Sequence, residues 1–152
     1  DRYQKDADRA NESKLVETVV GNATVDIPAE MIEEQIDSYI EDFKYQLMYQ
    51  GLDIEGYYKY TGSDEATLRA NYRERAEKAV RTRLVFEEIV KAEKIKATAK
   101  QVGAKAKAYA ESMGKSYEDF KKEYGDQSKV YFENEVITEA LIELLKKENT
   151  IA

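Results

Sequence analysis

The chain has 152 residues, 36% of them charged and 42% hydrophobic, with a formal net charge of −7. That is about one domain's worth of chain. Twelve Tyr and four Phe stand beside a single Pro and no Trp, Cys or His, which excludes a disulfide framework, a zinc finger, a thiol nucleophile and a histidine general base. Any metal would have to be held by carboxylates, in the manner of Ca²⁺ or Mg²⁺. Apolar residues are spread along the whole sequence, which argues against wholesale disorder. The longest apolar runs are a few residues, far short of the ~20 that span a bilayer. Residues 1–14 are charged and polar, so no signal peptide is expected and a cytoplasmic protein is. Asp1 in place of an initiator Met gives the expectation of a fragment excised from a longer protein.

Helical periodicity runs nearly throughout, punctuated by glycine and the one proline. Residues 3–20 read as a first helix, polar early and apolar late, with Leu15, Val16, Val19 and Val20 at its packing end; it looks like a connector. Residues 23–27 read as extended ahead of Pro28, which is placed at the first position of a second helix. Ile32, Ile36, Tyr39, Ile40, Phe43 and Leu47 form its stripe, and Tyr45, Met48, Tyr49 and Leu52 a second apolar set near its end. Asp53 caps a short third helix. Ser63 is expected to cap a fourth helix running unbroken to about residue 94, with Leu68, Tyr72, Ala76, Ala79, Val80, Leu84, Ile89 and Val90 as its stripe.

A fifth helix is predicted over residues 98–113, with Val102, Ala106, Tyr109 and Met113 on one face and Gly103 inside it at a cost of ~1 kcal/mol relative to Ala. Ser116 and Asp119 make a loose capping box for a short helix ending near Gly125. The last helix covers residues 127–148, with a stripe of Val130, Tyr131 or Phe132, Val136 or Ile137, Ala140, Leu141, Leu144 and Leu145. The fold class is therefore all-α. A ~32-residue fourth helix would be ~48 Å long at ~1.5 Å per residue. A globule of this chain length has a radius of gyration of only ~15 Å, so an elongated domain with a body and projecting helical arms is expected.

No catalytic constellation stands out. Acid pairs such as Glu33/Glu34 and Glu87/Glu88 point to different helix faces and read as solvated surface. The glycines at 51, 56 and 62 have no phosphate-loop spacing, and Asp53 lacks the rest of an EF-hand pattern. Neither cofactor nor metal is expected. Lysines at 91, 94, 96, 100, 105 and 107 stand against a single Glu93, but they straddle a helix boundary. A solvated face is the reading there, and nucleic-acid binding is not expected. Tyr45, Met48, Tyr49, Leu52, Tyr57, Tyr58 and Tyr60 crowd together. They either pack a hairpin between the second and fourth helices or form an adhesive surface, since Tyr and Met offer large, adaptable contact area.

Four stretches occur in one order: Val25-Asp-Ile-Pro-Ala-Glu-Met-Ile32; Gly51-Leu-Asp-Ile-Glu-Gly-Tyr57 closing on Tyr60-Thr-Gly62; Leu84-Val-Phe-Glu-Glu-Ile89 with Glu93-Lys-Ile95; and Val136-Ile-Thr-Glu-Ala-Leu-Ile-Glu-Leu-Leu145. Together they resemble the C-terminal domain of the trigger factor family of ribosome-associated bacterial chaperones, from about Leu15 onward. The resemblance implies a linker-type helix over residues 1–22 and one helical substrate-binding domain over 23–152. Its arms would be residues 28–94 and 98–125, and its closing helix 127–149. It implies binding of unfolded or nascent polypeptides by dispersed apolar patches, without ATP. The family's ribosome-binding and peptidyl-prolyl isomerase domains have no counterpart here, so no enzyme activity is expected and ribosome contact would need other domains. Residues 97–107 depart from the family's more acidic pattern, being Ala- and Lys-rich with Gly103 mid-helix.

The expected function is a passive holdase. Its net charge would favour substrates with basic as well as apolar segments. Candidate contacts are Met48, Tyr49, Leu52, Tyr57 and Tyr58, with Tyr131 and Phe132 on the last helix. The alternative is a structural scaffold or homodimerisation module using the same apolar surface.

Overall fold

In the computed structural model, residues 2–149 are described, with side chains for 5–125 and 128–149. The described residues form helices and turns, with no strand among them. In chain order the helices are α1 (Arg2–Asn22), α2 (Ala29–Tyr49), α3 (Ile54–Thr61), α4 (Glu65–Ala92), α5 (Ala99–Ser112) and α6 (Tyr117–Glu148). Gly125, at φ 52° and ψ −146°, interrupts α6 and makes it two helical segments, as the glycine punctuation predicts.

The helix boundaries follow local chemistry. Pro28 is the N-cap of α2 rather than its first residue; its φ of −60° suits a helix, but its ψ of 133° leaves it extended. Asp53 caps α3 as expected, its carboxylate accepting the Gly56 N–H at 2.6 Å. At α4 the cap is Asp64 and not Ser63: Asp64 Oδ1 accepts the Thr67 N–H at 2.8 Å. The sequence reading also missed the capping box of α5. There Thr98 Oγ1 accepts the Gln101 N–H, and Gln101 Oε1 accepts the Thr98 N–H. Ser116 opens α6, its hydroxyl accepting the Asp119 N–H at 3.2 Å and donating to the Asp119 carboxylate at 2.6 Å.

Helices α2, α4 and α5 end in one way. At the close of α2, Gly51 N–H reaches Met48 O at 3.0 Å and Leu52 N–H reaches Leu47 O at 2.9 Å, with Gly51 left-handed at φ 73°. The pair of bonds recurs at Gly114, where Lys115 N–H reaches Ala110 O. At the end of α4 the left-handed position holds Lys94, at φ 53°. A side chain with a Cβ pays roughly 1–2 kcal/mol there.

The described residues divide into two compact units. Asn22–Val85 form one; Asp1–Gly21 and Phe86–Ala152 form the other. The dividing points thus fall at the end of α1 and inside α4. In the Asn22–Val85 unit, Ile36 and Ile40 of α2 pack with Leu68 and Ala76 of α4, flanked by Ile32, Tyr39, Phe43, Ile54, Tyr58 and Tyr72. These are the stripes the 3.6-residue period predicts, except that Val85 is buried where Leu84 is half-buried.

The other unit holds two clusters. Leu15 of α1 packs with Leu141 and Leu145 of α6, joined by Phe86, Ile89 and Val90 from the end of α4. Lys146 reaches Glu12 at 2.5 Å beside this cluster, so the apolar end of α1 belongs to this core. The second cluster joins Val102, Ala106 and Ala110 of α5 to Phe120, Phe132 and Val136 of α6. The α5 stripe therefore runs through Ala110. Tyr109 and Met113, expected on the packing face, stand at its edge and are exposed, as is Val130 of α6.

Candidate functional site

Among the described residues no group of three or more Asp or Glu could hold a metal ion, and no helix is long and apolar enough to cross a membrane. Charged side chains pair across helices instead. Arg69 of α4 donates to Glu33 and Asp37 of α2, each at 2.6 Å, and Arg73 donates to Glu33 as well. Hydrogen bonds from Arg69 and then Arg73 hold the Glu33 carboxyl below the usual glutamate range. Lys105 of α5 pairs with Glu139 of α6, and Lys115 with Glu123 at 2.5 Å; each of these two lysines is pushed above its ordinary value first by that bond.

The distinctive surface chemistry is aromatic, and it lies in two places. The first surrounds the α2–α3 turn. Tyr45 stands nine residues past Ile36, and Tyr49 nine past Ile40. At ~100° per residue, nine residues is half a turn out of phase, so both point away from the face that packs on α4. Tyr49 is 87% exposed and Tyr60 93%. Tyr45, Met48 and Leu52 are also exposed. Tyr57 and Tyr58 are half-buried. Tyr57 meets Phe43 edge-on with ring centres 4.9 Å apart, and Tyr58 packs on the α2–α4 core. Burial, and next the nearby Glu65 charge, push the Tyr58 hydroxyl up. Part of the tyrosine-rich stretch thus packs against the core and part of it faces solvent.

The second surface lies on the α5–α6 pair. Tyr109 stacks on Phe120 and Phe132 at 5.7 and 5.6 Å, Phe120 on Tyr124 at 4.8 Å, and Tyr131 on Phe132 at 5.2 Å. Tyr109, Met113, Tyr124, Val130 and Tyr131 leave large parts of their surface exposed. The Tyr131 hydroxyl donates to Glu135 at 3.2 Å, and that carboxylate's charge pushes it up.

Phe132, expected as a contact residue, is only 2% exposed. It is the middle of the α5–α6 core, and its neighbour Tyr131, rotated ~100° round the helix, is the one that meets solvent. Sequence reasoning left Tyr45 and Tyr60 out of the contact set, although the half-turn phase would have identified Tyr45. Tyr109, Met113 and Tyr124 carried no such signal, because their exposure depends on how α5 and α6 pair.

A groove of about 370 Å³ opens beside this second cluster. Its floor is Val102, Ala106, Phe120 and Phe132, with Tyr117 beside them. Gly103 and the kink residue Gly125 form part of its wall, and Lys121 and Lys129 its rim. A Cβ built at Gly103 would meet nothing within 4 Å.

These features define an all-α domain whose own helices leave much of its aromatic surface uncovered. The family model described as bacterial trigger factor protein (TF) C-terminus matches residues 1–147, and the chain belongs to that family. Trigger factor of Ruminiclostridium cellulolyticum is 38% identical over 139 residues, covering 91% of this chain and 32% of that protein. Trigger factors of Acetivibrio thermocellus and Clostridium botulinum are each 38% identical, over 134 and 135 residues, covering 88% of this chain and 31% of theirs. The chain thus spans about a third of the curated relatives it matches, and the C-terminal family occupies residues that an isomerase domain would need. The match includes α1. No solved structure matches the chain.

Proposed function

We propose that this chain is an ATP-independent chaperone domain, a cytoplasmic holdase that binds unfolded or nascent polypeptides through dispersed apolar patches. Membership of the trigger factor C-terminal family supports this reading. The observation that carries it is the exposure of Tyr45, Met48, Tyr49, Leu52 and Tyr60 around the α2–α3 turn. Helical phase turns Tyr45 and Tyr49 away from the core.

Magnitudes favour weak, broad binding. Full burial of one large apolar side chain contributes about 1.5–3 kcal/mol, while association costs an estimated 4–15 kcal/mol. One tyrosine cannot hold a client; several together hold it loosely. Dissociation is then fast enough to release a client without nucleotide hydrolysis. Tyr and Met adapt to varied partners, which gives breadth of substrate.

The test is suppression of aggregation of a denatured protein by increasing amounts of this chain. Suppression should rise with concentration and fall at least severalfold when Tyr45, Met48, Tyr49 and Tyr60 are replaced together by Ser, with the melting temperature unchanged. Unsuppressed aggregation accompanied by a stable dimer would overturn the reading in favour of a self-associating scaffold.

A further inference from the structure

We propose that Met48 is a reversible oxidation site: a peroxide converts its thioether to the sulfoxide, and the sulfoxide weakens polypeptide binding at the α2–α3 surface. This rests on the polypeptide-binding reading and adds a regulation to that surface.

Composition singles out methionine. The chain holds no Cys, His or Trp, so the thioethers of Met31, Met48 and Met113 are its most readily oxidised groups toward a two-electron oxidant. Tyrosine, though abundant, reacts mainly with one-electron oxidants. Exposure then ranks the three, because susceptibility follows access to the sulfur. Met48 is 60% exposed and Met113 44%, whereas Met31 is half-buried.

Position decides the consequence. Met48 is the one sulfur in the exposed set that also holds Tyr45, Tyr49, Leu52 and Tyr60. The closing turn of α2 uses its backbone, the Met48 carbonyl accepting the Gly51 N–H at 3.0 Å. The thioether lies outside that bond, so an oxygen added at sulfur alters the surface and leaves the helix end intact. Met113 closes α5 in a similar way, its N–H reaching Ala110 O at 3.1 Å, but it stands on the α5–α6 surface. It offers the same chemistry in another place.

The step with hydrogen peroxide balances. A sulfur lone pair attacks one peroxide oxygen, the S–O bond forms and the O–O bond breaks. Sulfur is oxidised by two electrons and the peroxide is reduced. The proton on the transferred oxygen passes to the departing hydroxide, which leaves as water. A thioether is apolar, flexible and polarisable, and adapts to varied apolar partners. The sulfoxide oxygen is a hydrated acceptor, and an apolar client segment seated on it removes that water without replacing the hydrogen bond. Methionine sulfoxide reductases, one for each epimer, reverse the change.

The experiment oxidises the chain with dilute hydrogen peroxide, removes the peroxide, and titrates an unstructured peptide rich in Phe, Leu and Arg and free of Met and Cys. Peptide mapping should show Met48 gaining oxygen before Met31. The readout is each protein's own affinity ratio before and after peroxide, so a changed starting affinity does not enter. The unsubstituted chain should lose at least about threefold in affinity, with helicity and melting temperature retained. It should regain that affinity when both classes of reductase act on it. Met31→Leu with Met113→Leu should lose as much as the unsubstituted chain, and Met48→Leu should lose nothing on oxidation. The inference is overturned if Met48→Leu loses as much as the unsubstituted chain, or if peroxide leaves the unsubstituted chain's affinity unchanged. It is also overturned if Met31 is oxidised first. Those outcomes leave the polypeptide-binding reading in place. Absence of any binding before peroxide would instead overturn that reading, and this inference with it.

Discussion

The α2–α3 region and the α5–α6 pair are both rich in aromatic residues, and they use them differently. Around the α2–α3 turn the most exposed tyrosines, Tyr49 and Tyr60, make no ring contact among the described residues and project into solvent. The base of that region is tied by the ion pairs of Arg69 and Arg73 with Glu33 and Asp37. On α5–α6 the rings stack on one another around Phe120 and Phe132, so that each outer ring is at once surface and support. Removing a ring should therefore cost binding alone in the first region, and stability in the second.

The largest expected effect follows from the contrast within one dipeptide. Phe132→Ala should lower the unfolding free energy by about 3–5 kcal/mol, while Tyr131→Ala, which loses one edge-on ring contact, should lower it by only about 0.5–1.5 kcal/mol; denaturant unfolding of both variants measures the difference. Next is Gly125, whose φ of 52° and ψ of −146° lie where other residues are strained. Gly125→Ala should cost about 1–3 kcal/mol and perturb the amides of Tyr117 and Phe132 on either side of the kink. In the opposite direction, Lys94→Gly should stabilise by about 1 kcal/mol, since the left-handed cap of α4 is the one such position among the described residues not held by glycine.

A smaller effect is expected from pH. The Glu33 carboxyl titrates below its ordinary value because Arg69 and Arg73 donate to it. Its folded pKa is depressed, so its contribution is fully present above the ordinary glutamate range and is lost as pH falls through the lowered value. Arg69→Ala should reduce the melting temperature by a few degrees near neutrality and shrink that acid-side loss. Melting curves from neutral pH down to about pH 3 would show it.

Most of the helix order was legible because the long helices carry a 3.6-residue stripe and α2, α3 and α5 end at a glycine. Glycine at 51, 62 and 114 sits at left-handed ends, and Gly125 splits α6 where the pattern said it should. Apart from the caps at Pro28, Asp64 and Thr98, the failures are of one kind. Tyr131 against Phe132, Leu84 against Val85, and Tyr109 against Ala110 are adjacent apolar residues at a stripe's edge, only ~100° apart. Which of each pair is covered depends on the partner helix, and a single helix's sequence does not contain that. The groove was illegible for the same reason, although its one local sign, a glycine inside α5, was visible as an anomaly.

The most direct test is to add an unfolded polypeptide to isotope-labelled chain and record amide and methyl shifts residue by residue. Tyr45, Met48, Tyr49, Leu52 and Tyr60 should shift together, saturating at weak affinity, while Ile36, Ile40 and Leu141 stay fixed. Shifts confined to other surfaces, or none while aggregation is still suppressed, would contradict the assignment of polypeptide binding to the α2–α3 surface.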